Sequence, residues 1–148
     1  MQKEYWLLPI GALALLTFFV LLQIPIRRLY AGFIGKVIPE DFKFGESKNV
    51  PQWVAIANRN YMNLLEIPLL FYLICLIQYL TSSNDPLNFQ LTWIYVGLRT
   101  LHSLIHLTYN NVIHRLIIFA MSNLILFGIW VNYFRKFLEF IFWGKKFP

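Results

Sequence analysis

Charge is what this sequence has least of. Asp, Glu, Lys and Arg together make up 14% of its 148 residues, while 58% are hydrophobic. An ordinary soluble domain carries about 25% charged residues. A small domain is mostly surface, so it cannot hide an apolar excess of this size by itself. Cysteine is almost missing as well. The single Cys75 lies inside an apolar run, which excludes an internal disulfide and leaves a buried small hydrophobe. No internal repeat or low-complexity tract is present. A soluble enzyme, a disordered tail and a secreted disulfide scaffold are thereby set aside, and a polytopic membrane protein remains.

What the sequence does have is long apolar runs. They predict an all-α fold: one domain over 1–148, a membrane four-helix bundle with spans at about 5–28, 51–80, 89–109 and 112–135. The first run follows Lys3 as a signal peptide would. It exceeds the roughly 7–15 residues of such a hydrophobic region and no small-x-small site follows, so it reads as a retained span closed by Arg27 and Arg28. Gly32, Gly35, Pro39 and Gly45 make the next segment a loop, and Pro51 suits the first turn of the second span. Asn84, Asp85 and Pro86 mark a turn. Asn110 and Asn111 are the only break between the last two spans, which makes them antiparallel neighbours.

The net charge is +6. Its basic residues sit between apolar runs, which points to lipid headgroups, orientation and anionic ligands and away from nucleic acid. One side carries Arg27, Arg28, Lys36, Lys43, Lys48 and Arg115. The other carries Lys3, Arg135, Lys136, Lys145 and Lys146. Six against five puts the first loop in the cytoplasm.

Polar residues inside the spans carry the functional signal. Gln52, Arg59, Asn63 and Glu66 share one side of a helix at ~100° per residue, with Asn58 and Asn60 beside them. In the third span Thr92, Tyr95, Arg99, His102, Ser103, His106 and Asn110 recur at steps of three and four, and Arg115 opens the fourth. Ionisable groups at membrane depth face a bundle interior or a wet cavity and mark function; the bland alternative is a polar clamp between helices. Two chemistries fit. Arg59, Arg99 and Arg115 can hold an anionic, peptide-like cofactor, with Asn63 giving amide hydrogen bonds and Glu66 receiving an ammonium. Alternatively His102 and His106, at i and i+4, bind a metal with Glu66. No glutamate follows His102, and the nearby arginines repel a cation, so no metal is expected. A transporter is disfavoured because matched halves with mid-span Gly or Pro breaks are missing.

Asn60-Tyr-Met-Asn63-Leu-Leu-Glu66-Ile-Pro68-Leu-Leu-Phe71-Tyr72 resembles the second-helix signature of the MAPEG superfamily, the membrane-associated proteins in eicosanoid and glutathione metabolism. Arg99-Thr-Leu-His102-Ser103-Leu-Ile-His106-Leu-Thr-Tyr109-Asn110, followed by His114-Arg115, resembles the third-helix signature of an uncharacterised bacterial branch. The resemblance implies a homotrimer of four-helix protomers in the cell membrane, the inner membrane of a bacterium. It implies glutathione bound between protomers near the cytoplasmic helix ends. Carried over residue by residue, it gives Arg28, Asn63, Glu66, Arg99 and His102 as glutathione-binding, and Arg115 and His106 as catalytic; Arg59 joins the glutathione-binding set from the charge inventory, since the family's helix-two arginine lies near it in a different register. Arg115 would stabilise the thiolate and His106 would move a proton, where the eicosanoid synthases carry a tyrosine. The implied activity is a glutathione transferase or peroxidase acting on an apolar small molecule that arrives through the bilayer. A non-enzymatic scaffold packed through the same stripes is the alternative.

Overall fold

The structure, a computed structural model, describes residues 2–144, with Trp143 given by its backbone alone. Lys145 and Lys146, counted above in the charge balance, lie outside the described residues. Five helices follow one another: α1 Leu7–Phe33, α2 Gln52–Leu65, α3 Pro68–Leu80, α4 Pro86–Leu107 and α5 Val112–Trp143. Short 3-10 turns precede α1 at Lys3–Trp6 and sit in the first loop at Pro39–Phe42. Among the described residues there is no strand. Among the described residues, three stretches are long and apolar enough to cross a membrane: Lys3–Phe33, Gln52–Leu80 and Val112–Phe142, with mean hydropathy of 2.4, 1.7 and 1.9.

α4 falls short of that hydropathy for a physical reason. It is apolar on its outer face and polar on its inner one. Asn88, Thr92, Tyr95, Arg99, His102, Ser103 and His106 are its buried side, while Leu87, Trp93, Ile94, Leu101 and Leu104 are exposed. A soluble amphipathic helix shows the reverse. In a bilayer this arrangement keeps polar groups away from lipid and inside the bundle.

The second apolar stretch, read above as one span from 51 to 80, is two helices. Pro68 has no amide hydrogen, so it cannot bond the carbonyl of Leu64, and its ring crowds that carbonyl. Glu66 accordingly ends α2 with φ −71° and ψ −88°. Pro68 then starts α3 at a position where its missing donor costs nothing. The last apolar stretch, read as ending near 135, continues as helix to Trp143.

The main core joins Leu13 and Val20 of α1, Leu64 of α2, Phe71, Ile74 and Cys75 of α3, Tyr95 and Val96 of α4 and Leu126, Ile129 and Tyr133 of α5. The Phe71 and Tyr95 rings stack at 4.6 Å. Cys75 is a free thiol in this core. α4 and α5 are the most closely packed pair, as the four-residue link between them requires.

Candidate functional site

Positions 52, 56, 59, 63 and 66 recur every three or four residues, so α2 turns their side chains to one side. Gln52, Ile56, Arg59, Met62, Asn63 and Glu66 there meet His106 and Asn110 at the exit of α4 and Arg115 on the first turn of α5. Together with Asn58 they line a cleft of about 400 Å³. That lies within the roughly 300–1,000 Å³ of small-molecule sites. Arg59 and Glu66 are both exposed to it, and neither forms an ion pair among the described residues. One smaller compartment, lined by Glu46, Ser47, Lys48, Val50 and Ala55, continues the cleft past Gln52 and Arg59. Another, of about 250 Å³, shares Asn63 and Arg115 with it and adds His102, Val112, Leu116 and Phe119.

The turn into α5 aims Arg115. Asn110 adopts a left-handed φ of 50°, which asparagine tolerates better than most residues. Its amide donates to the carbonyl of Ile105 at 2.8 Å. Its side-chain oxygen accepts from Arg115 Nη1 at 2.5 Å. Asn111 caps α5 by accepting from the amides of Ile113 and His114 at 3.0 and 3.1 Å. His102 and His106 are buried, at 3% and 1% exposure. Their ring centroids lie 5.8 Å apart, and neither Nδ1 has a partner in the protein. Among the described residues no three His, Cys, Asp or Glu side chains converge on a metal-sized point.

Arg99 stands behind the cleft rather than on its wall. It is fully buried, and its Nη2 donates to the carbonyl of Asn63. In an unbroken helix the amide of Ile67 would take that carbonyl; at the break, Arg99 takes it. The guanidinium also lies 5.6 Å from the Phe119 ring. Arg28 is outside the main cleft. It pairs with Glu46 at 3.4 Å and covers the Phe42 ring at 4.4 Å, so it braces the first loop. Asn60 is consumed internally, accepting from the Ser103 hydroxyl at 3.2 Å. Of the eight residues singled out in the sequence, five border the main cleft or share its wall: Arg59, Asn63, Glu66, His106 and Arg115.

Two residues gain roles that sequence reasoning did not give them. Arg27, read only as the stop of the first span, donates to the carbonyl of Trp53 at 2.7 Å and to that of Leu107 at 3.5 Å. It therefore ties the end of α4 to the start of α2. Asn110 was legible as a polar-face residue, but its hold on Arg115 was not.

The model of the MAPEG family matches residues 6–134. The chain belongs to the MAPEG family. No curated protein and no solved structure matches it. MAPEG membership, the helices above and their outward apolar side chains make it a helical-bundle membrane protein. The MAPEG family is broadly associated with glutathione, and the residues of the cleft fit such a ligand. The wall of the cleft carries two arginines, Arg59 and Arg115, and the carboxylate of Glu66.

Proposed function

We propose that the cleft binds glutathione and that the protein acts as a glutathione transferase or peroxidase on apolar electrophiles or lipid hydroperoxides, as a homotrimer in a bacterial inner membrane. The observation that carries this reading is the meeting of unpaired Arg59 and Glu66 with His106 and Arg115 in one cleft at the helix ends. Bound there, the tripeptide supplies a thiolate. Arg59 holds a carboxylate through its planar fork, Asn63 bonds the peptide amide, and Glu66 holds the ammonium. Arg115 sets a fixed positive charge near the sulfur, which favours a thiolate over a thiol whose free pKa is ~8.5. Asn110 keeps that guanidinium in place. His106 borders the cleft, and its imidazole would pass a proton to the departing group. Arg99 supports Asn63 from behind, and His102 borders the neighbouring apolar-walled compartment.

A specific observation favours the scaffold reading as well. Part of the polar stripe is spent on bonds within one protomer, namely Ser103 to Asn60 and Arg99 to the Asn63 carbonyl. Calorimetry of glutathione with detergent-purified protein separates the two. The enzyme reading expects saturable binding that weakens about tenfold or more in Arg115→Ala, the order of one charge-assisted hydrogen bond of ~1.5–3 kcal/mol. Arg115→Lys should keep much of the binding and lose turnover, because lysine retains the charge without the fork. No saturable binding in the wild type would leave the scaffold.

A further inference from the structure

The first loop is built to a fixed shape and presents one aromatic side chain that nothing in the protein covers. Asp41 organises it: its carboxylate accepts from the Ser47 hydroxyl at 2.6 Å and from the Ile38 amide at 3.0 Å. Its carbonyl accepts from the Ser47 amide at 2.9 Å. Val37, Val50 and Phe42 pack on Ala31 of α1 and on Val54 and Ala55 of α2. The loop thus lies against the ends of α1 and α2.

Its two phenylalanines behave oppositely. Phe42 is tucked under the Arg28 guanidinium. Phe44 is 93% exposed, at the apex of a tight turn in which Lys43 bridges Gly45. Gly45 has φ +95°, a backbone angle that makes glycine the suitable residue there. The Lys43 ammonium sits 5.3 Å from the Phe44 ring. Phe33, at the last position of α1, is 91% exposed, and Ile34 and Ile38 are exposed beside it in sequence.

The level of this surface is marked by three features. α1 has 27 residues, about 40 Å of helix against a hydrocarbon core of about 30 Å, so its last turns extend into the headgroup zone. Tyr30 and Trp53 meet edge to face at 5.9 Å, an aromatic pair of the kind that gathers at the membrane–water boundary. Arg27 and Arg28 follow on the same turn. The loop packs against this same end of α1 and α2 through Val37, Phe42 and Val50.

We infer that the apex of the first loop is seated in the bilayer. Phe44 enters the layer of glycerol and upper acyl chains, and Lys43 reaches back to lipid phosphate, as a long cationic side chain does at an interface. The occupant of this surface is phospholipid. The seat has a consequence for the cleft, because Glu46, Ser47 and Lys48, directly after the turn, wall its side compartment. The inference stands whether or not the cleft takes a thiol.

A nitroxide at Phe44→Cys, in nanodiscs of mixed phosphatidylcholine and phosphatidylglycerol, tests it. The unvaried chain, whose one thiol is buried, is the labelling blank. Collision with oxygen, which favours lipid, should exceed collision with a water-soluble nickel chelate, giving a ratio close to that of a label at Leu29→Cys. A label at Lys48→Cys should give a ratio several-fold lower. Lys43→Glu should move the label at 44 outward. A ratio at 44 equal to that at 48 would overturn the proposal. So would shielding from both reagents that disappears when the oligomer is dissociated, since a second copy would then be the cover. A label unmoved by Lys43→Glu would remove the part given to the lysine.

Discussion

Two glutamates show how far position decides the value of one side chain. Glu46 is in the loop and already holds Arg28 at 3.4 Å, whereas Glu66 lies at the helix break with no ion pair among the described residues. Glu66→Gln should therefore weaken glutathione about tenfold, near the ~1.5 kcal/mol of a charge-assisted bond. Glu46→Gln should change it little, a contrast readable by calorimetry. Asp41 gives a pH prediction. The Ser47 hydroxyl, and then the Ile38 amide, hold its carboxylate below the usual value of 3.8. A depressed folded value means that the carboxylate contributes stability above the unfolded pKa and loses it as pH falls through the folded one. Hydrogen exchange of the loop should stay protected from neutral pH to about pH 4 and then rise on further acidification. Asp41→Asn should exchange faster at neutral pH, and the difference from the wild type should vanish once Asp41 is protonated.

At the level of elements, the end of the bundle away from the cleft is closed by a buried polar cluster. Asp85 caps α4 through the Asn88 amide at 3.3 Å. It also accepts from Asn132 at 2.9 Å and pairs with Lys136 at 2.8 Å, joining α4 to α5. Asn88 adds a bond to Gln78 of α3 at 3.1 Å, and Trp6 donates to the Ser83 carbonyl at 3.0 Å. With Asp85 only 2% exposed, Asp85→Ala strands Lys136 and removes the cap. The expected loss is about 3–5 kcal/mol, measured by unfolding in detergent. Arg135→Ala breaks an exposed pair with Glu139, for which about 0–1 kcal/mol is expected. The Asn-Asp-Pro turn was legible in the sequence; the partners of Asp85 and Asn88 on α3 and α5 were not, because they come from positions 10 to 51 residues away.

For the whole molecule, the question is which polar faces a single protomer leaves open. Periodicity puts polar stripes on both the second and third spans. The stripe of α4 is already buried within the protomer, so it needs no neighbour to cover it. The α2 side differs: Arg59, Met62 and Glu66 remain exposed. If copies assemble through that side, as proposed, native mass spectrometry in a mild detergent should give three copies. Conditions that yield monomers should then also lower glutathione binding. Monomers that bind glutathione as well as the oligomer would show that one protomer's cleft suffices.

Composition and periodicity alone determined the all-α membrane class and the two polar stripes. Those are local properties: apolar runs set span length, and side chains three and four apart share a face in any helix. The same periodicity grouped Arg59, Asn63 and Glu66 before any contact was known. Periodicity could not tell inside from outside at Arg99, which lies on the same α4 stripe as His106 yet sits behind the cleft. Its place depends on the carbonyl freed when Pro68 breaks the second span. Nor could it separate Arg27, which bridges two helix ends, from Arg28, which braces a loop, since adjacent residues on a helix point about 100° apart. Only the packing of five helices decided which of these fixed charges meet in the cleft and which serve to hold it open.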